Sequence, residues 1–449
     1  MTSQATQSAF ATTIGATNAN NAAIDGNARD ARDAAVAAPS VSTAGSTASS
    51  TADSTLRPVA GAASPGVLAS GREGDERLSL EVILEEVTAR RAEFTLKRHV
   101  PRDMIVQFKR AGLYRAATPK CFGGDALPPA DFLRIVERIA AVDGSAGWVA
   151  SFGSANVYLA ALPMETQALL YADGPDQVFA GGLFPVQPAK TVEGGFDVSG
   201  TWKFASGCKG AEWLGVGIGL GAGPSGVSAK PRMAVFKAAE LDIVENWDVV
   251  GMQGTGSHDL YAHQKFVADA WTFVRGSAAV VDEPLYRYPT VAYAAQVLAV
   301  VNLGIARAAL NVLNQMGGGR KTTTGAPQLV DRPYFRMGLA KAETKLRATQ
   351  AFFYDTTETV WDSIVAGSMP GPEQVNLLRL AATEAAQAGA DIIQQAYRLA
   401  GISAIYTQHP LQQYVRDAMV VTQHAFLGEG NYDAGGAVFA GGTPFPGYI

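Results

Sequence analysis

Cysteine is scarce in this chain: Cys121 and Cys208 are the only two in 449 residues. Two thiols cannot build a disulfide framework or a four-cysteine zinc site, and the shortage suits a reducing cytoplasm. Histidine is nearly as rare, with five residues. No pair of them has metal-ligand spacing, so no metal site is expected. Basic residues fall short of acidic ones, 36 against 41, for a net charge of −5. That argues against nucleic acid as a partner, because phosphate binding needs a basic face. No run of about 18 or more consecutive apolar residues occurs, so no membrane span is expected. Residues 1–75 lack large side chains almost entirely, being mostly Ala, Ser, Thr, Gly and Asn. Such a stretch cannot bury enough apolar surface to offset its ordering entropy, and a disordered tail is the expectation. It also lacks a charged segment followed by an apolar one, and Asp25, Asp30 and Asp33 break the pattern of a transit peptide.

The remainder has ample material for a core: 47% of the chain is hydrophobic, 9% aromatic and 17% charged. Residues 76–180 show helical periodicity, as in "SLEVILEEVTARRAEF" and "PRDMIVQFKRAGLY". "PADFLRIVERIAAVDGSAGWVASFGSANVYLAAL" reads as two helices with a Gly-Ser break. Residues 181–275 change character, to short β-rich runs divided by Gly, Pro and Asp. Within them "VEGGFDVSGTWKF" signals a hairpin on a Gly-Gly turn, and "LDIVENWDVVGM" a further strand. Residues 276–449 return to long helices, the pattern of a four-helix bundle, with "VRDAMVVTQHAFLGEG" as the last helix. The expected fold is therefore mainly α with a central β-domain.

Four stretches give this order a family likeness: "GLYRAATPKCFGG", "GTWKFASGCKGAEW", "GMQGTGSHDLYAHQKFVADAWTF" and "AYRLAGISAIYTQHPLQQYVRDA". Together they resemble the acyl-CoA dehydrogenase fold, with an N-terminal helical domain, a β-barrel domain and a C-terminal four-helix bundle. Two chemistries share that fold. True dehydrogenases abstract a proton with a carboxylate; group D flavin-dependent monooxygenases use reduced flavin and O2. The acidic loop that many dehydrogenases carry before the flavin strand is missing from "FAGGLFPVQPAKT". Their catalytic glutamate, nine residues after the arginine of an Arg-Asp pair, would fall on Ala425 when counted from Arg416. His424 stands beside it, where the monooxygenases have a histidine. The chain thus resembles the oxygenase component of a two-component system.

That resemblance implies reduced FMN or FAD as cofactor and O2 as co-substrate, which together form a flavin hydroperoxide. The substrate would be an aromatic or heteroaromatic small molecule of phenol, indole or thiophene type. His424 would be the base, or the group that manages the peroxide proton; the alternative is a core histidine. Ser206 would reach the flavin ring edge, its hydroxyl able to donate or accept, unless it satisfies its own backbone at a strand end. Phe204 would stack on the flavin, or else be a core aromatic. Ser257 is implied in cofactor binding, and Arg320 or Lys321 in a flavin phosphate contact or an ordinary basic loop. Trp148 and His258 are candidates for the substrate side, against core packing and a β-turn respectively. His409 reads as structural, His99 and His263 as exposed. Glu429 would be a displaced carboxylate or a surface turn.

"GVGIGLGAG" at 215–223 nearly matches a dinucleotide fingerprint, but a Pro-Gly loop and another strand follow it. With no helix N-terminus to hold a pyrophosphate, no nicotinamide site is expected. A separate NAD(P)H:flavin reductase is then required, and the resemblance further implies a cytoplasmic homotetramer. Rival readings are an acyl-CoA dehydrogenase with a displaced base and a non-catalytic scaffold.

Overall fold

The computed structural model describes residues 77–219, 231–317 and 327–448. Arg320 and Lys321 lie outside the described residues, as do positions 220–223 of the near-fingerprint.

The N-terminal helices are α1 (Leu80–Lys97), α2 (Arg102–Arg110), α3 (Pro129–Ala140), α4 (Gly144–Ala150), α5 (Asn156–Leu159) and α6 (Met164–Leu170). Ser79 caps α1 by accepting from Val82 N. Asp143 caps α4 by accepting from Ala146 N at 2.8 Å, so Gly144 and Ser145 open that helix rather than break the chain. The stretch after α4 is less regular than its periodicity suggests. It tightens into a 3-10 turn over Ser151–Ser154 before α5. There the backbone at Gly153 passes so close to Leu113 that a Cβ would lie 2.0 Å from the Leu113 carbonyl oxygen.

Among the described residues seven strands follow: β1 (Phe179–Val192), β2 (Gly195–Ala205), β3 (Trp213–Gly219), β4 (Arg232–Lys237), β5 (Asp242–Val244), β6 (His258–Ala268) and β7 (Thr272–Val274). They form one sheet in the order β5-β6-β2-β1-β3-β4-β7. The β1–β2 hairpin turns on Glu193–Gly194, with Gly194 at φ 75 and Gly195 already paired with Val192. The expected Gly-Gly turn is thus shifted by one residue. Strand β5 is also shorter than expected. The chain from Glu245 leaves the sheet because the His258 ring takes the Asn246 and Trp247 amides, each at 3.1 Å. The near-fingerprint begins within β3, which runs between β1 and β4.

The C-terminal helices are α7 (Pro284–Arg287), α8 (Thr290–Gly317), α9 (Pro333–Val365), α10 (Pro372–Ala400), α11 (Pro410–Thr422) and α12 (Gly430–Phe439). Helix α8 is apolar on almost every face. By length and composition it could cross a membrane, yet 83% of its most apolar window is buried inside the protein, as a bundle's central helix requires. Asn302 on α8 donates to Ala386 O at 2.8 Å and Ala418 O at 3.2 Å, tying it to α10 and α11.

Two sequence expectations are corrected here. Helix α11 stops at Thr422, so His424 sits in the turn before α12 rather than on a helical stripe. The turn's bonds have shortened to three residues, Gln423 N to Val420 O and His424 N to Val421 O. His99 is half-buried, not exposed, because Gly256 packs directly against it. His409 caps α11 by accepting from Leu411 N, and His263 is exposed.

Candidate active site

The helical regions and the sheet meet around a cavity of about 620 Å³, within the usual range of small-molecule sites. Trp148 on α4, Phe204 and Ser206 at the end of β2, Ser257 before β6, and His424 all line it. His258 does not. Its Nδ1 accepts the two amides of the 246–247 loop, which makes it a loop clamp and corrects its placement on the substrate side. Glu429 is exposed and absent from the lining. Among the described residues, Ala425 is in the lining and no Asp or Glu is. A wall without a carboxylate has no acid side chain to take a proton from an acyl group.

Phe204 is held at φ 62, a region that large side chains rarely adopt. This backbone turns the ring out of the sheet, where it is 68% exposed. It meets Trp247 edge-on at 6.4 Å. Bare strand backbone at Gly181 and Gly182 completes this side of the cavity. A Cβ at Gly181 would strike the Gly215 carbonyl at 2.1 Å.

Three buried hydroxyls run in series along the wall. Ser206 Oγ lies 2.6 Å from Ser257 Oγ, which lies 2.7 Å from Thr255 Oγ1. Thr255 donates to Met252 O at 2.9 Å. A hydroxyl carries one proton, so this last bond sets the direction of the others. The arrangement that satisfies all three bonds has Ser257 donating to Thr255 and Ser206 donating to Ser257. The Ser206 oxygen is left with free lone pairs on the cavity wall, ready to accept an N–H. That suits a reduced flavin, whose central ring carries an N–H where the oxidised ring has a bare nitrogen.

The relay rests on a loop pinned from α11. Asp417 Oδ1 accepts Met252 N at 2.5 Å, and Arg416 Nε donates to Val250 O at 3.0 Å. Between them a Cβ on Gly251 would lie 2.3 Å from Arg416 O, so only glycine fits. Asp417 is fully buried, and burial followed by the neighbouring Asp143 pushes its carboxyl above the ordinary range.

His424 packs edge-on against Trp148 at 5.9 Å and Phe426 at 5.0 Å. Its Nδ1 accepts Phe426 N at 3.2 Å, so the neutral ring keeps its proton on Nε2. Nε2 has no protein acceptor among the described residues. Burial, then Arg275, then Arg379 push the imidazole down to about 4, and it is neutral throughout the physiological range.

Sequence reasoning missed several residues at this site. Arg275 lines the cavity beside Tyr158 and Phe426. It follows an apolar strand in "WTFVRGS", where nothing local distinguishes it from a surface residue. Thr255, which sets the relay's direction, was equally silent, although it lies in a motif that carried the family likeness.

Comparison with known proteins gives the family. Residues 80–167 match the acyl-CoA dehydrogenase N-terminal domain, and residues 296–429 the acyl-CoA dehydrogenase C-terminal domain. The chain is 49% identical to the indole-3-acetate monooxygenase of Pseudomonas putida, over 86% of this chain and 98% of that protein. Its fold is similar to 3-HSA hydroxylase from Rhodococcus sp. RHA1, with TM-score 0.77 and 24% identity, covering 82% of this chain and 97% of that one. It is also similar to XiaF from a Streptomyces species, solved with FADH2 and glycerol, with TM-score 0.76 and 20% identity over 82% and 96% of the two chains. This chain belongs to the flavin-dependent monooxygenases built on the acyl-CoA dehydrogenase fold.

Proposed function

We propose that this monooxygenase oxygenates an indole ring carrying a short carboxylate side chain, a compound of the indole-3-acetate type. The cavity carries the reading: an acid-free, aromatic-walled pocket in which a neutral histidine and a hydrogen-bond-accepting serine face the same space. The relative named for indole-3-acetate supports the choice of ring. Reduced FMN or FAD, delivered by a separate reductase, supplies when bound the two electrons that let one oxygen atom of O2 enter the substrate while the other leaves as water.

The chain's own residues hold, orient and exclude. Ser206 accepts a ring N–H of the reduced cofactor, and the Ser257–Thr255 relay keeps it in that role. Phe204 and Trp247 offer flat apolar surface to a flat ring system. Trp148 and Phe426 bracket His424 and keep bulk water from its ring. His424 holds a proton on Nε2. With Nδ1 engaged by Phe426 N, the ring is set to offer that N–H as a hydrogen bond into the cavity rather than to act first as a base. Of the two roles the family likeness implied, this geometry favours proton management.

The test supplies the purified protein with indole-3-acetate, O2 and an NADH-driven flavin reductase. The expected product is heavier by one oxygen atom, labelled when 18O2 is used. Hydrogen peroxide as the sole product, with indole-3-acetate unchanged, would sink the substrate assignment. The implied homotetramer is supported by apolar side chains left exposed near the end of the bundle, at Ile402, Ile405 and Tyr406. Light scattering that returns a monomer would remove it.

A further inference from the structure

Two arginines approach the Phe426 ring, and they are not alike. Arg379 lies inside the bundle at 2% exposure, 5.3 Å from the ring. Its two terminal nitrogens donate to Asn431 Oδ1 at 2.9 Å and Val291 O at 3.4 Å, while its Nε is buried without an acceptor; it does not line the cavity. Arg275 lines the cavity, its guanidinium carbon 5.1 Å from the Phe426 ring and 4.8 Å from that of Tyr158. Nη2 donates to Tyr158 OH at 3.1 Å. Among the described residues no carboxylate pairs with Arg275, and its Nε, like that of Arg379, is buried without an acceptor; what sets it apart is its place on the cavity wall.

Arginine cannot shed its charge in a protein, and a cation in an apolar pocket is costly unless paired. Two neighbouring π-faces offset part of that cost. The rest is left for an anion that enters the cavity. A planar carboxylate matches the guanidinium fork, and the two charge-assisted hydrogen bonds it can make are among the stronger ones available. The distances also fit one small molecule. Phe426 touches both groups, with the His424 ring 5.0 Å from it and the Arg275 guanidinium 5.1 Å. An aromatic ring beside His424 and Trp148 would carry a one- or two-carbon acid arm to Arg275.

We propose that Arg275 is the specificity-determining residue of this site, the group that binds the substrate's carboxylate and selects aromatic acids over the same rings without the acid. The proposal rests on the indole-acid reading for the ring, but the arm it assigns is set by the cation. Lys203 also lines the cavity but is exposed, and a hydrated ammonium lacks the fork that fixes a carboxylate's orientation.

The test compares indole-3-acetate with indole-3-acetamide, an uncharged isostere, in wild type and in Arg275→Gln. The readouts are kcat/KM and the Kd of each compound for the protein without flavin, measured by calorimetry. Wild type is expected to prefer the acid, and Arg275→Gln to lose about 30-fold of that preference, as expected for one charge-assisted pair. Arg275→Lys keeps the charge without the fork and should fall between; it serves as the test if the glutamine variant does not fold. An acid-to-amide ratio unchanged in either folded variant overturns the proposal, as does a wild type that takes the amide as readily as the acid. A wild type that ignores indole-3-acetate but binds 4-hydroxyphenylacetate, with the same loss in Arg275→Gln, rejects the indole ring while upholding Arg275.

Discussion

Replacing Thr255 by valine removes one hydroxyl from a wall that the reduced cofactor is expected to face. In the wild type that hydroxyl donates to Met252 O, and through Ser257 it fixes Ser206 as an acceptor. To meet a bare ring nitrogen, as in oxidised flavin, the relay must reverse and the Thr255–Met252 hydroxyl bond must break. Met252 O would not be orphaned, because Thr255 N at 3.1 Å and Trp247 Nε1 at 3.3 Å still donate to it. The larger penalty for an unsatisfied buried carbonyl therefore does not apply. What remains is one ordinary hydrogen bond, a net of about 0.5–1.5 kcal/mol, or roughly 2- to 13-fold in affinity. The wild type should bind reduced flavin more tightly than oxidised by at least this factor. Thr255→Val should shrink the oxidised-to-reduced Kd ratio by the same amount, since Ser257 and Ser206 are then free to turn either way. Packing changes at the valine act on both redox states and cancel in the ratio. Aerobic and anaerobic titrations of flavin into the purified protein measure it. A ratio in Thr255→Val equal to or larger than that of the wild type would refute the fixed polarity of the relay.

Two further predictions concern pH. His424 is held near 4 in the fold, below the ordinary histidine value of about 6.5, so the unfolded chain binds more protons between those values. The wild type should lose stability as pH falls through that window, and His424→Asn should remove up to about 3 kcal/mol of the loss; equal Tm changes from pH 7 to pH 4.5 in both proteins would contradict the neutral assignment. Asp417 is displaced upward by burial and then by Asp143, so the fold binds more protons than the unfolded chain above about pH 4, and this contribution weakens as pH rises toward neutrality. Asp417→Asn keeps an acceptor for Met252 N without the charge, and its Tm relative to wild type should climb from pH 5 to pH 8, whereas Asp417→Ala should lower Tm at both; a flat Asn difference would contradict the upward displacement of Asp417.

Much of the architecture was legible because its signals are local. Unbroken helical periodicity marks α8, α9 and α10, and short β-rich runs mark the sheet between the helical regions. The placement of His424 illustrates the limit. Its apolar neighbours read as one continuing helix, but α11 ends two residues before it, and the imidazole takes a backbone amide of its own turn. His258 shows the same limit differently. Its place in a family motif points toward the substrate, while its ring is committed to amides 11 and 12 residues earlier in the chain.

By itself the sequence determined the order of helices and strands, the missing carboxylate at Ala425, and the choice of oxygen chemistry that follows from the family likeness. Periodicity, turn residues and spacing are properties of neighbours along the chain, and one sequence displays them fully. Only the tertiary structure brought Ser206, Ser257 and Thr255 into one relay ending on Met252 O, decided which nitrogen of His424 holds its proton, and placed Arg275 in the cavity with no acid among the described residues beside it. Those outcomes depend on contacts across the fold at hydrogen-bond range, where a shift of about one ångström changes a donor's partner, and no local pattern records them.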